Sequence, residues 1–194
     1  MRARLALASA AVQVELREIL LRDKAPEFLQ TSPSGTVPCL KTEDRVIDES
    51  RDIMIWALQI NDPEGWLAMP DEGNALIDEI EGPFKTALDR YKYSTRYNDA
   101  DKQAERETAS GYLRDLDERL SSQDWLFGEK PTLADMAILP FVRQFAMADK
   151  AWFDAQPWPH LSRWLEAFLA SERLSEVMPK YPVWQAGDTA TLFP

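Results

Sequence analysis

At 194 residues, with 45% hydrophobic and 28% charged side chains, the chain can bury one large or two small cores and has an ordinary globular composition. A formal charge of −11 excludes nucleic acid as a partner, because neutralising phosphates takes clustered Lys and Arg. One cysteine excludes an internal disulfide and suits a reducing, cytoplasmic setting, and no apolar run approaches the ~20 residues of a membrane span.

Met1 to Ala11 is rich in helix formers, among them Arg2, Arg4, Leu5 and Leu7, although no cap residue precedes it. From Val12 to Leu20 the pattern changes to alternation: Val12, Val14 and Leu16 are apolar, Gln13, Glu15 and Arg17 polar. That spacing predicts a half-buried strand. Pro26 then sits in the first turn of a short helix through Gln30, with Lys24 just before it.

Ser32-Pro33-Ser34-Gly35 is a turn cluster, since proline presets one dihedral and glycine permits positive φ. Thr36 to Leu40 reads as a short strand containing Val37-Pro38. A proline there donates nothing to a ladder, so the strand bends, lies at an edge or carries a cis bond. A polar turn, Lys41 to Arg45, leads into a second strand at Val46-Ile47. Asp48-Glu49-Ser50 follows, opening a helix marked by Ile53, Ile55, Trp56 and Ile60. Glu49 and Ser50 have two readings, as simple helix caps or as groups that meet a ligand carboxylate at a helix N-terminus.

A shift of character falls near Asn61-Asp62-Pro63-Glu64-Gly65. Residues 1–60 hold 8 basic against 9 acidic side chains, and the remainder 14 against 24, so nearly all the excess charge lies beyond the break. The expected division is 1–60 for the first domain, 61–70 for a linker and 71–194 for an all-helical domain. Leu76, Ile77, Ile80, Phe84, Leu88 and Tyr91 keep helical spacing, interrupted by Gly82-Pro83, where the helix should kink or end. Ala100 to Leu120 is a second amphipathic segment. Pro159 to Phe168 and Glu172 to Met178 are further helices, before an irregular end through Trp184.

Thr132 followed by Asp135, ahead of Met136, Ile138 and Leu139, is a capping signal, and a structural role for Asp135 is expected. Cys39 reads as a packed core thiol rather than a nucleophile. His160, the one histidine, reads as a helix-start residue and leaves metal or His-based chemistry little to work with. Trp152, Phe153, Trp158 and Trp164 form either core or the wall of an apolar pocket.

Thr36-Val37-Pro38 and Asp48-Glu49-Ser50, at this spacing and followed by a helical remainder, resemble the glutathione transferase superfamily, in its omega-like, Cys-Pro-x-Ala branch. The resemblance implies an α/β thioredoxin-like domain followed by an all-α domain, with cis Pro38. It implies glutathione as co-substrate, no metal, a small hydrophobic or disulfide second substrate, and a homodimer as one allowed assembly. The γ-glutamyl group would meet Glu49 and Ser50, and the cysteinyl part would meet the backbone of Val37 beside Pro38. Lys24 matches a lysine that contacts bound glutathione in the family; otherwise it is a solvated surface lysine.

The same resemblance carries an expectation about the start of the chain. The branch places a Cys-Pro-x-Ala segment before a Met-Arg-x-Arg-Leu helix start, and here Met1-Arg2-Ala3-Arg4-Leu5 comes first. The first strand and the catalytic segment are therefore expected upstream of Met1, with no catalytic residue in this chain and impaired thiol transfer or conjugation. A non-enzymatic ligand- or partner-binding protein of the same fold is the alternative. If the chain is ordered, another strand must cover the gap, or the sheet must be rearranged.

Overall fold

The computed structural model describes all of residues 1–194. In chain order the helices are α1 (Arg2–Ala10), α2 (Pro26–Thr31), α3 (Ser50–Ile60), α4 (Asp71–Glu79), α5 (Lys85–Lys92), α6 (Lys102–Arg119), α7 (Leu133–Ala146), α8 (Lys150–Asp154), α9 (Pro159–Leu169) and α10 (Glu172–Val177). The strands are β1 (Val14–Glu15), β2 (Leu40–Lys41), β3 (Val46–Ile47) and β4 (Leu192–Phe193). Two compact units result: Met1–Gly65 together with Glu172–Pro194, and Trp66–Ser171. Residues 172–194 thus return to the first unit, where the division read from sequence runs the helical domain on to 194.

In the first unit α1 lays Ala3, Leu5, Ala6, Leu7 and Ala10 inward against α3, whose own buried side chains are Ile53, Met54, Ala57 and Leu58. Ala3, Ile47 and Ile53 form a small core, with Leu40 and Trp56 packed on it. The first helix ends at Ala11, in the left-handed region with φ 52°, and its last carbonyls are closed by Ala11 N–H to Ala8 and Val12 N–H to Leu7.

The strands are short. The predicted strand Val12–Leu20 keeps its alternation of half-buried and exposed residues as far as Glu18, but a ladder forms only at Val14–Glu15, with isolated bridges at Glu18 and Leu20. Its partner is the chain's own tail: β1 and β4 run antiparallel, with Val14 opposite Phe193 and Glu15 opposite Leu192. The predicted Thr36–Leu40 strand begins at Leu40, and β2 and β3 make a separate hairpin, with Leu40 opposite Ile47. No ladder joins the two pairs, so the unit carries two separate two-stranded sheets.

Arg4 is why the tail comes back. Its guanidinium donates to Glu18 Oε2 at 2.7 Å and to the carbonyls of Val177 and Pro179, and it lies over the rings of Tyr181 and Phe193. Phe193, 2% exposed, fills the space beneath. Leu16 N–H donates to Thr191 O at 2.7 Å and Trp184 N–H to Glu18 O at 2.8 Å, which pins both ends of the irregular stretch.

The second unit is helical throughout. Pro83 falls in one π-helical turn, Ile80–Phe84, between α4 and α5, so the helical path widens at the proline instead of stopping. Phe84, Tyr91, Tyr112, Phe145, Trp152, Phe153 and Trp158 touch in a chain of mostly edge-on or tilted rings. Asp117 Oδ1 accepts from the amides of His160 and Leu161, so His160 stands at the start of α9. Thr132 and Asp135 form the predicted capping box on α7. Asp135 is fully buried and accepts from the amides of Leu126 and Thr132, the Thr132 hydroxyl and the Trp164 indole, at 2.8–3.0 Å. Burial pushes its carboxyl up, and these donors pull it back down.

Candidate functional site

The β2–β3 hairpin delivers Asp48, Glu49 and Ser50 to the start of α3. Its turn is closed by Thr42 N–H to Arg45 O at 2.8 Å. The loop before β2 is folded toward the same point by Asp48. Ser32 Oγ donates to Asp48 Oδ1 at 2.7 Å, and Ser34 N–H to Oδ2 at 2.9 Å. Gly35 makes that loop tight: φ of 64° is open to glycine, and its N–H closes on Ser32 O. Bonds from Ser34, foremost, and Ser32 hold the Asp48 carboxyl below the usual carboxylate range. Val37 and Pro38, just beyond Gly35, are joined by a cis bond, one of the three options that proline leaves the strand and the one the family resemblance implies. One carboxylate therefore brackets the Val37-Pro38 loop to the Glu49-Ser50 helix start.

Within this bracket, Val37 is 45% exposed, and the fold's turn and loop hydrogen bonds engage neither its N–H nor its C=O. Glu49 is the N-cap residue of α3, yet its side chain makes no capping hydrogen bond. Plain capping therefore does not explain Glu49. Its carboxylate is exposed. Ser50 Oγ accepts from Arg2 Nη1 on α1 at 3.2 Å.

Cys39 is half-buried beside Pro38, rather than packed in the core as the sequence suggests. Burial, with the Asp48 carboxylate next to it, pushes its thiol up, so it is held protonated and is a poor nucleophile.

Lys24 lies apart from this bracket. It is half-buried ahead of α2 and lines a cavity of about 370 Å³ with Ile19, Pro26, Trp184 and Gln185; Val37, Pro38, Glu49 and Ser50 do not line it. Arg17 stacks on Trp184, 4.5 Å from the ring centre, and steadies that wall.

Asp48 and Arg2 are the two residues of the site that motif reading misses. The Ser-Pro-Ser-Gly turn signals that the loop needs an acceptor, but nothing local says that Asp48 supplies it. Arg2 meets Ser50 across 48 positions, beyond the reach of any spacing rule.

Residues 1–65 match the model of the glutathione S-transferase N-terminal domain, and residues 70–172 that of the glutathione S-transferase C-terminal domain. The chain belongs to the glutathione S-transferase family. It is 28% identical over 151 residues to glutathione S-transferase D7 of Drosophila melanogaster, covering 73% of this chain and 65% of the fly protein. It is 26% identical over 175 residues to glutathione S-transferase DHAR2 of Arabidopsis thaliana, covering 87% of this chain and 78% of that protein. Among solved structures, a ternary complex of BphK, a bacterial GST, superposes with a TM-score of 0.75 over 91% of each chain at 20% identity, a likeness of fold. An α/β thioredoxin-like domain with few strands, followed by a helical domain, is the fold the chain shares with this family.

Proposed function

We propose that this glutathione S-transferase binds glutathione at the Asp48 bracket, for thiol transfer or conjugation. Three features support the reading. The N-terminus of α3 and the Ser50 hydroxyl suit the γ-glutamyl α-carboxylate, since helix N-termini favour anions. Glu49, exposed and not spent on capping, suits the α-amino group. The exposed backbone of Val37, beside cis Pro38, suits the cysteinyl part, which would lie along it as an antiparallel strand. Lys24, expected to contact glutathione, lines a cavity that the bracket residues do not share, so on this reading it is the least supported of the contacts. The observation that carries the proposal is the bracket itself: Asp48 ties the loop holding Val37-Pro38 to the helix start holding Glu49-Ser50.

A small hydrophobic molecule or a disulfide is the second substrate on this reading, the protein works in the cytoplasm, and a homodimer is the assembly to test by sedimentation. The alternative is a protein of the same fold that binds a ligand or partner without catalysing.

The test is ligand-induced stabilisation. Glutathione at ten times its Kd should stabilise the protein by about 1.4 kcal/mol through mass action. Glu49→Ala should abolish the thermal shift while leaving the unliganded melting temperature unchanged, because Glu49 is exposed and caps nothing. An equal shift in the variant would remove Glu49 from the site. Turnover of a disulfide substrate with glutathione, against binding alone, separates the two readings.

A further inference from the structure

The buried face of α1 is apolar except at two places, Arg2 and Ser9. Ser9 is accounted for by Glu64, to which it donates at 2.7 Å, alongside Arg173 from α10. Arg2 is different. It is 8% exposed, and a guanidinium taken out of water is costly to keep. One of its bonds crosses to the first residue of α3, Nη1 to Ser50 Oγ at 3.2 Å.

The direction of that bond matters. Arginine carries donors and no acceptor, so Ser50 Oγ must accept. The hydroxyl's own proton is then left for another acceptor, and accepting from a cation makes it a stronger donor. The positive end of α3 lies at the same residue, with no capping bond from the Glu49 side chain. Guanidinium, helix end and hydroxyl all favour one kind of group there, a carboxylate, while Glu49 beside them favours an amine.

We propose that Arg2 is a positioning residue for γ-glutamyl recognition: it holds the Ser50 hydroxyl as a donor to the ligand's α-carboxylate and places a buried positive charge behind it. This rests on the glutathione reading above. It makes the site selective for γ-glutamyl thiols that keep both the α-amino and the α-carboxylate groups.

The experiment is calorimetric titration of the full chain with glutathione and with 4-aminobutyryl-cysteinylglycine, which lacks only the α-carboxylate. Arg2→Met should weaken glutathione roughly tenfold or more, the scale of a hydrogen bond to a charged group, and leave the analogue's affinity unchanged. Ser50→Ala should give the same pattern, and adding Arg2→Met to it should cost little more, because the two act through one bond. Equal weakening of both ligands by Arg2→Met would show a role in folding alone and overturn the proposal, as would undiminished glutathione binding. If Arg2→Met does not fold, Arg2→Lys decides: a loss specific to glutathione supports the assignment, and wild-type affinity for both ligands overturns it. Failure of the unmodified chain to bind glutathione would overturn the glutathione reading and this inference together. Binding that survives Ser50→Ala and Arg2→Lys unchanged would overturn only the role of Arg2.

Discussion

The two units of this chain each use an aspartate as a bracket, and the two aspartates behave in opposite ways. Asp135, in the helical unit, is fully buried and gathers donors from Leu126, Thr132 and Trp164; burial drives its carboxyl upward. Asp48, in the first unit, collects bonds from Ser32 and Ser34 nearer to water, and its carboxyl is driven downward. The same side chain therefore joins segments by different physics. In the helical unit it is part of a core, fully buried and bonded to the Trp164 indole among its donors. In the first unit it supports a loop that keeps Val37 exposed.

The comparison makes graded predictions. The largest effect belongs to Asp135→Ala, which leaves buried donors of Leu126, Thr132 and Trp164 without an acceptor and should destabilise the protein by about 4 kcal/mol in urea unfolding. A loss below about 1 kcal/mol would show that the helical unit does not depend on this bracket.

Next is Phe193→Ala. The ring is buried and anchors β4 against β1, so its removal should cost about 3 kcal/mol by cavity formation. Hydrogen exchange should locate the loss: amides near Val14 and Leu16 become labile, while those of α7 stay protected. Uniform loss across both units would mean that they unfold as one, which would weaken the contrast.

The smallest effect is on pH dependence. A carboxyl held below its unfolded value contributes stability above the ordinary aspartate range, near pH ~4, and the contribution is lost as pH falls through the lower folded value. Asp48→Asn should therefore flatten the acid limb of stability against pH below about 4, with little change at neutral pH beyond the exchanged bonds. An acid limb identical to the unmodified protein's would mean that Asp48 carries none of this sensitivity.

Much of this architecture can be read without coordinates. Helical spacing from Leu76 to Tyr91, the Thr132-Asp135 cap and the helix start at Ser50 all arise from local rules, periodicity and capping, while at Pro38 proline geometry narrows the choice to a bend, an edge or the cis bond that is found. What stays hidden is non-local. The partner of Val14–Glu15 is only two residues long and stands at the far end of the chain, and Thr191-Leu192-Phe193 carries no strand signal strong enough to stand alone. Asp48 was eclipsed by its neighbours, Glu49 and Ser50, because motif reading looks for ligand groups and not for what holds them. Arg2 looks like any polar residue at a helix start until Ser50 is seen beside it. Pattern alone also overestimates strand length, since alternation continues through Leu16 and Glu18 where ladder bonds do not.

The return of residues 172–194 to the first unit has a consequence for how the protein is made. Synthesis is vectorial, and domains fold as their residues become available. Residues 66–171 form an uninterrupted unit that is complete while the tail is still being added. The opening segment, by contrast, must wait through the whole of that interval with Val14 and Glu15 unpaired and the site of Phe193 unfilled. The part of the molecule that emerges first is the last to be finished, and a ribosome that stalls near residue 171 holds a folded helical unit while the opening segment still lacks its partner strand.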